Sequence, residues 1–233
     1  MNIMKKRVIS LALAALTALS LSACGGISRD DATTYVQGEL DAVYKGIYSQ
    51  EYIDLVDDMT EADAQEKHDY NVSAEAPFLL DYLTIEYPDD AVTAKAESVV
   101  AEIYSHAKYT VGKADKTQNG DFTVEVTLSP IEILSQLEDQ VYLDNWQAAL
   151  ADAGITTQEQ LDALSEDDYA EIDRSYGMAM LESLEALIPE LTYGTDQIVM
   201  LQLKLEDDAY SLVETGWQTL DQIMIDYAGN YVQ

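Results

Sequence analysis

The thiol of Cys24 is the side chain in this 233-residue sequence whose position most clearly suggests a chemistry. It is the only cysteine, so neither an intramolecular disulfide nor a cluster of thiolate metal ligands can form. A basic cluster at 5–7 is followed by a mainly apolar run at 8–23 that leads directly to this cysteine. Such an order is typical of a secretory signal peptide, and the run is shorter than the roughly 20 residues of a membrane-spanning helix.

The four residues at the end of this run, Leu21-Ser22-Ala23-Cys24, resemble the lipobox of bacterial lipoproteins. In that family the cysteine thiol receives a diacylglyceryl group, and a signal peptidase then cuts before the cysteine. The resemblance implies a signal peptide at 1–23, lipid attachment at Cys24 and a lipidated tether at 24–31. Two acyl chains suffice for stable anchoring. We therefore expect a protein held on the extracytoplasmic face of a cell membrane, at the cell surface or in the periplasm.

The charge of the chain limits its partners. It has 44 acidic and 12 basic residues, a formal net charge of −32, and three of the basic residues belong to the predicted signal peptide. This charge repels phosphate backbones, which excludes nucleic acid as a partner. It also repels anionic lipid headgroups, so we expect attachment to come from the lipid on Cys24. The acidity favours either simple solubility or a cationic ligand or basic partner protein.

Two pairs of strands are predicted. Asn119-Gly120 is a strong hairpin signal, and the apolar residues after it alternate with polar ones, as in a half-buried antiparallel strand. A second alternating segment ends at an acidic turn, Asp207-Asp208. The predicted strands are 108–117, 121–129, 192–206 and 209–214.

Helical periodicity and capping signals fill the rest of the chain. Ser129-Pro130 has the pattern of a helix start, and Thr156 and Ser165 are predicted N-caps. The order of elements predicts an α+β fold: N-terminal helices and a four-stranded sheet of antiparallel hairpins, with a helical insertion between the hairpins. We expect one domain at 32–233 with its insertion at about 131–191. The predicted helices are 31–49, 52–59, 60–71, 73–87, 90–104, 131–153, a short one after Thr156, 165–189 and 218–227.

This order of elements is similar to the cystatin-like and NTF2-like α+β domains of small bacterial lipoproteins. The helical insertion departs from that architecture.

Motifs for metal binding and nucleophilic catalysis are incomplete. His68 and His106 lack a second ligand at helical spacing, so we predict no metal. Residues 115–126 half resemble a calcium loop, but Thr117 and Val126 replace essential ligands, and a hairpin explains the segment better. Ser105-x-x-Lys108 matches S-x-x-K of penicillin-binding proteins, but the S-D-N and K-T-G elements of that family are absent. We predict no cofactor and assign no catalytic residue.

Two residue classes leave alternatives open. The acidic groups 57–58, 89–90, 166–168 and 206–208 are either solvated caps and turns, or carboxylates that meet to bind a cation or act as a glycosidase pair. The chain has 16 tyrosines against two phenylalanines and two tryptophans. Tyr44, Tyr48, Tyr52 and Trp217 either pack at the edge of the core or form a contact surface.

Three hypotheses follow for function. The first is a non-enzymatic, lipid-anchored module that binds an unknown ligand or an envelope protein. The alternative is a hydrolase that cleaves cell-envelope glycans or peptides with paired carboxylates. A third is an immunity-type or assembly protein whose acidic surface binds a basic partner.

Overall fold

The computed structural model describes residues 19–20, 27–56, 59–206 and 209–231. The fold is α+β, as predicted: helices pack on one face of an antiparallel sheet, and a helical segment lies between its two hairpins. Cys24 lies outside the described residues, as do most of the predicted signal peptide and residues 24–26 of the predicted tether. The tether was predicted to extend too far, because its residues Arg29 to Asp31 already belong to the first helix.

Helices make up most of the described chain. A π-helical turn, Asp41–Lys45, extends the first helix, and 3-10 turns lie at Leu134–Gln136 and Ile188–Glu190. The α-helices are α1 (Arg29–Leu40), α2 (Gln50–Leu55), α3 (Glu61–Tyr82), α4 (Asp90–Ser105), α5 (Asp139–Asp152), α6 (Gln158–Asp162), α7 (Glu166–Glu185) and α8 (Glu214–Met224). The strands are β1 (Leu19–Ser20), β2 (Lys108–Val111), β3 (Asp115–Lys116), β4 (Phe122–Ser129), β5 (Gln197–Glu206) and β6 (Ala209–Leu212).

The strands form one antiparallel sheet in the order β1-β6-β5-β4-β2, and β3 also pairs with β4. The predicted alternation is confirmed, because the side chains that face the helices are fully buried along β4. On β5 the alternation holds until Leu205, which is partly exposed at the end of the strand. The buried residues of β4 are Phe122, Val124, Val126 and Leu128.

The first predicted strand is interrupted rather than continuous. β2 ends at Val111, and β3 begins at Asp115. Between them the amide of Ala114 donates to Thr33 Oγ1 on α1 at 2.9 Å, so it is not available to the sheet. This bond ties the hairpin to the first helix.

The helices bury the inner face of the sheet. α1 and α8 contact the central strands, and α3 and α4 pack around the π-helical turn. At the centre the Tyr44 ring lies edge-on to Tyr104, at 5.2 Å between centroids, and is stacked on Trp217 at 6.0 Å. The helical segment between β4 and β5 is held to this layer by contacts of α7 with α4 and α5.

One predicted helix boundary is wrong, because 60–71 and 73–87 contain a single helix, α3. Its predicted start is confirmed: Thr60 and Asp63 form a reciprocal capping box. The helix continues through Pro77 although proline removes a backbone hydrogen bond. Buried residues occur in this helix both before and after Pro77, including Val72 and Leu79. Their packing therefore outweighs the loss of the backbone hydrogen bond at the proline.

The predicted helix start at Ser129-Pro130 is also wrong. Ser129 ends β4, and the next residues pair with distant backbone: the Ile131 amide donates to the Met224 carbonyl at 2.9 Å. Because these groups are satisfied by non-local partners, they do not start a helix. α5 begins at Asp139 instead.

Two smaller predictions shift. Thr157, not Thr156, caps α6, because its side chain pairs with the Gln160 amide in a capping box. The last helix begins at Glu214 and ends at Met224, which leaves Tyr227 outside it. The predicted Ser165 cap of α7 is confirmed by a 3.2 Å bond from the Asp168 amide.

Within the described ranges, none of the helices combines the length and the hydropathy that crossing a bilayer requires.

Candidate binding cleft

A cleft of about 450 Å³ opens between α1 and the chain that folds back beside it. We call it the α1 cleft. One wall comes from α1 and the π-helical turn, and the other from the loop before α2 and its first turn. The first wall is formed by Thr33, Thr34, Gln37, Gly38 and Asp41, and the second by Ile47, Tyr48, Ser49 and Glu51.

Local backbone geometry creates the cleft. α1 begins at a capping box of Ser28 and Asp31, which fixes its direction. The π-helical turn then ends at Gly46, whose φ of 63° is a left-handed conformation that glycine adopts without steric cost. This reversal brings Ile47 and Tyr48 alongside α1. Single π-helical turns within helices occur frequently at functional sites.

A buried ion pair supports the cleft from behind. Lys67 Nζ lies 2.6 and 2.8 Å from the two carboxylate oxygens of Glu39, and it also donates to Tyr52 Oη at 3.1 Å. The Glu39 and Lys67 side chains are only 1% and 7% exposed. The Tyr52 ring lies directly against Gly38, where a Cβ atom would overlap it. α1, α2 and α3 are therefore locked together beneath the cleft.

Asp41 is held at the edge of the cleft by three neighbours. Its carboxylate accepts hydrogen bonds from Gln37 Nε2 and Tyr109 Oη, both at 2.7 Å, and lies 3.5 Å from Lys45 Nζ. Lys45 Nζ also lies 4.2 Å from the centroid of the Tyr109 ring. Burial, followed by the hydrogen bond to Asp41, raises the pKa of Tyr109 far above its usual value, so the phenol remains a donor.

The lining of the α1 cleft defines what it can bind. Hydroxyls of threonine and serine, one amide and two carboxylates stand beside the half-buried Tyr48 and the exposed Ile47. None of the nine lining residues is cationic and two are carboxylates, which disfavours an anionic ligand. It suits an uncharged ligand rich in hydroxyl or amide groups, or a cationic one.

A second cleft of about 460 Å³ lies between α5 and α7. Its carboxylates, Asp152, Asp168 and Glu171, are exposed, and Asp168 already accepts a 2.6 Å bond from Ser165 Oγ. Its remaining lining is mostly apolar, with Ile172 at the base. Among the described residues that line it, no side chain is both polar and buried, whereas the buried Lys67–Glu39 pair lies behind the α1 cleft.

The structure also brings together two carboxyl groups that the sequence did not single out. Glu132 and Asp226 are each 3% exposed, and Glu132 lacks any hydrogen bond to its carboxyl oxygens among the described residues. Burial, and then the neighbouring Asp226, raises the pKa of Glu132 to about 7. Burial alone would raise the pKa of Asp226 too, but backbone amides, including those of Tyr231 and Ala228, outweigh it and lower that pKa.

The acidic groups predicted from sequence do not converge in the part of the chain that is described. Asp89 caps α4 by accepting from the amides of Ala91 and Val92. Residues 166–168 form the first turn of α7. Residues 57–58 and 207–208 lie outside the described residues. The reading of these groups as caps and turns is therefore confirmed for Asp89, which is a cap, and for 166–168, which lie at the start of a helix.

The weaker motifs have structural roles. His68 Nδ1 lies 3.1 Å from the Val43 carbonyl, and the exposed His106 ends α4. Ser105 Oγ donates to the Glu102 carbonyl rather than meeting Lys108. The half calcium loop is the β3–β4 hairpin. Across the described residues, no three histidine, cysteine or acidic side chains converge as metal ligands.

The four aromatic residues that were predicted as core edge or contact surface have different positions in the structure. Tyr44 and Tyr52 are completely buried, and Trp217 is 5% exposed, so these three belong to the core. Burial raises the pKa of Tyr44 well above its usual value, and its hydroxyl donates to Asp221 at 2.9 Å. The fourth residue, Tyr48, lines the α1 cleft.

Comparisons with known proteins support the fold alone. No family model and no curated protein matches the chain. Its fold is similar to that in a crystal structure from Bacillus subtilis described as a candidate lipoprotein, YcdA, with a TM-score of 0.56 and 14% identity. The similarity covers 84% of this chain and 56% of that chain, so this chain spans little more than half of its neighbour's length.

Proposed function

We propose that this chain is a lipid-anchored binding protein of the extracytoplasmic face, attached through Cys24, whose α1 cleft binds a small uncharged or cationic ligand. A sugar or the end of a short peptide has the required hydroxyl and amide groups. Support for the anchor comes from the lipobox resemblance and from the similarity of the fold to that of a protein described as a candidate lipoprotein.

The main support for a binding site in the α1 cleft is that buried and hydrogen-bonded contacts hold its side chains in place. Asp41 is oriented by Gln37 and Tyr109, and the buried Lys67–Glu39 pair fixes the helices behind it. A site whose side chains are already held in place loses less entropy when a ligand binds. Such preorganisation is typical of a ligand site and is missing from the cleft between α5 and α7.

Processing before Cys24 would change one edge of the sheet. The mature chain of this proposal lacks β1, which pairs with Ala209 and Tyr210 of β6. β6 would then be an edge strand of four residues, and short edge strands are a common protection against unwanted pairing.

The hydrolase alternative stays a prediction. Glu132 and Asp226 have the unequal pKa values of an acid–base pair, but both are buried, and Glu132 and Tyr231 both lie against Gly194. A substrate would have to displace the surrounding segments to reach them. The accessible α1 cleft therefore favours binding over hydrolysis.

The anchor and the cleft need separate tests. For the anchor, mass spectrometry of protein purified from the membranes of its own cells should show a diacylglyceryl group on an N-terminal Cys24. An unmodified thiol, or an intact residue 1–23 segment, would refute the anchor.

For the cleft, residues 24–233 carrying Cys24→Ser can be titrated with tri-N-acetylglucosamine, a neutral tripeptide and spermidine while NMR spectra are recorded. We expect shifts of amides at 33–41 and 47–51 with at least one probe, and weaker binding after Gln37→Ala. Gln140→Ala is the matched control. Gln140 donates the same 2.7 Å bond to an aspartate one helical turn later, Asp144, but it belongs to α5 and does not line the α1 cleft. Shifts confined to other regions, or equal effects of both variants, would overturn the assignment of this cleft.

A further inference from the structure

We infer that the tip of the β2–β4 hairpin and the start of α1 form the surface that faces the membrane, in contact with anionic lipid headgroups. This inference rests on the proposed attachment through Cys24. We call this surface the anchor pole and define its basic residues as Arg29, Lys113, Lys116 and Lys204.

Tether length brings the anchor pole close to the bilayer. Ile27 packs against the core, and Ser28 caps α1, so the folded domain begins three residues after Cys24. Three extended residues span at most about 10 Å. The start of α1 must therefore remain within about that distance of the lipid on Cys24.

Specific contacts assemble other segments around the start of α1. Arg29 forms a 3.3 Å ion pair with Asp115 on β3, and Thr33 holds the Ala114 amide. At the other side of the hairpin, Tyr210 Oη donates to the Gly120 carbonyl at 2.9 Å, and the Leu205 amide donates to Asp121 at 3.0 Å. The hairpin tip and the adjoining ends of β5 and β6 thus share one end of the molecule with α1.

The charge of this end differs from that of the rest of the chain. It gathers four of the nine basic residues of the predicted mature chain. Seven carboxylates of the same segments accompany them, whereas the other five basic residues of the predicted mature chain stand against 37 acids, so the anchor pole is much less acidic than the rest of the chain. The carboxylates are Asp30, Asp31, Asp115, Asp121 and Glu206, followed in the sequence by Asp207 and Asp208, which lie outside the described residues.

Screening by salt determines which charges of the domain interact with the bilayer. At physiological ionic strength the field of a charged surface decays over roughly 8 Å, so an anionic bilayer repels only the part of the domain that lies nearest. With the anchor pole inward, the strongly acidic body stays beyond that range. Lys113 and Lys116 are exposed and can then contact headgroup phosphates.

Hydrogen exchange on a chemically tethered protein tests the orientation. Residues 24–233 would be coupled through the Cys24 thiol to maleimide phospholipid, in vesicles of phosphatidylcholine with or without phosphatidylglycerol. We expect amides at 112–121 to exchange about twofold or more slowly on the anionic vesicles, and this protection to diminish in high salt. Lys113→Glu should reduce the protection, whereas Lys108→Glu, the same charge change at the other end of β2, should not.

Each outcome decides the orientation. Protection centred on another segment, or protection unaffected by Lys113→Glu, would overturn the inference, as would the absence of protection on anionic vesicles. Because coupling to maleimide lipid replaces biological lipidation, a negative result here leaves the proposed anchor intact. An unlipidated native protein would refute the anchor without changing the measured orientation of the tethered domain.

Discussion

Glu132 and Asp226 form a buried carboxyl pair at a junction of three chain segments. Backbone bonds assemble it: the Asp226 amide donates to the Ile131 carbonyl at 3.0 Å, and the Glu132 amide donates to the Thr192 carbonyl at 2.9 Å. Gly194 lies so close that a Cβ atom there would be 2.5 Å from Glu132 Oε1. Because the Glu132 carboxyl group is buried and its pKa is raised, its protonation state is linked to the stability of the fold.

We predict that this pair makes the protein less stable as the pH rises from about 4.5 to about 7. The folded-state pKa of Glu132, about 7, exceeds its ordinary value of 4.5, so the folded state holds its proton more tightly than the unfolded state. This contribution is complete below pH 4.5 and is lost above pH 7. It amounts to about 3 kcal/mol, since the two pKa values differ by about 2.5 and one pKa unit corresponds to about 1.4 kcal/mol.

Urea denaturation at pH 5 and pH 8 measures the effect. Glu132→Gln should remove it, so the variant gains stability relative to the wild type between the two values. Glu125→Gln on the exposed face of β4 is the control for the general loss of one negative charge. Equal pH dependence of the two variants would show that Glu132 is not the titrating group.

The behaviour of this pair shows where sequence reasoning succeeds and where it stops. Local signals determine the alternation of Phe122 to Leu128 and the caps at Thr60 and Ser165, and these predictions are confirmed. Glu132 resembles an acid in the first turn of a helix, but its backbone pairs with residues about 60 positions away. No local pattern carries that information.

The α1 cleft was missed for the same reason. Tyr48 was one of the residues predicted for a possible contact surface, but a π-helical turn has no strong sequence signature, and Gln37 and Asp41 read as ordinary residues of an amphipathic helix. Their roles depend on Tyr109 and Lys67, which come from other elements. Gly46 was the available signal, because a glycine that ends a helical pattern indicates a left-handed turn.

A second prediction concerns the ion pair behind the cleft. Lys67→Met should reduce the free energy of unfolding by about 3–5 kcal/mol, because it removes the ammonium group that lies 2.6 Å from the buried Glu39 carboxylate. The double variant Lys67→Met/Glu39→Leu should recover most of that loss, since neither charge then remains in the interior.

Denaturation of the wild type, both single variants and the double variant gives the coupling energy. Lys95→Met is a suitable comparison, because Lys95 pairs with Glu185 at a more exposed site and should cost about 1 kcal/mol or less. If Lys67→Met cost no more than Lys95→Met, the ion pair would not be what locks α1 to α3.

A third prediction is that replacing one helical glycine by alanine lowers the stability of the protein, against the usual trend. Replacing a glycine by alanine inside a helix ordinarily stabilises a protein by about 1 kcal/mol, because alanine has the higher helix propensity. Gly38→Ala should instead destabilise it by about 1–3 kcal/mol, because the new methyl group overlaps the buried ring of Tyr52. Displacement of that ring would also move Lys67 and the second wall of the α1 cleft, so ligand-induced NMR shifts at 47–51 should weaken in parallel. Urea denaturation with the same titration measures both effects, and a stabilised Gly38→Ala variant would show that Tyr52 does not rest on α1 in solution.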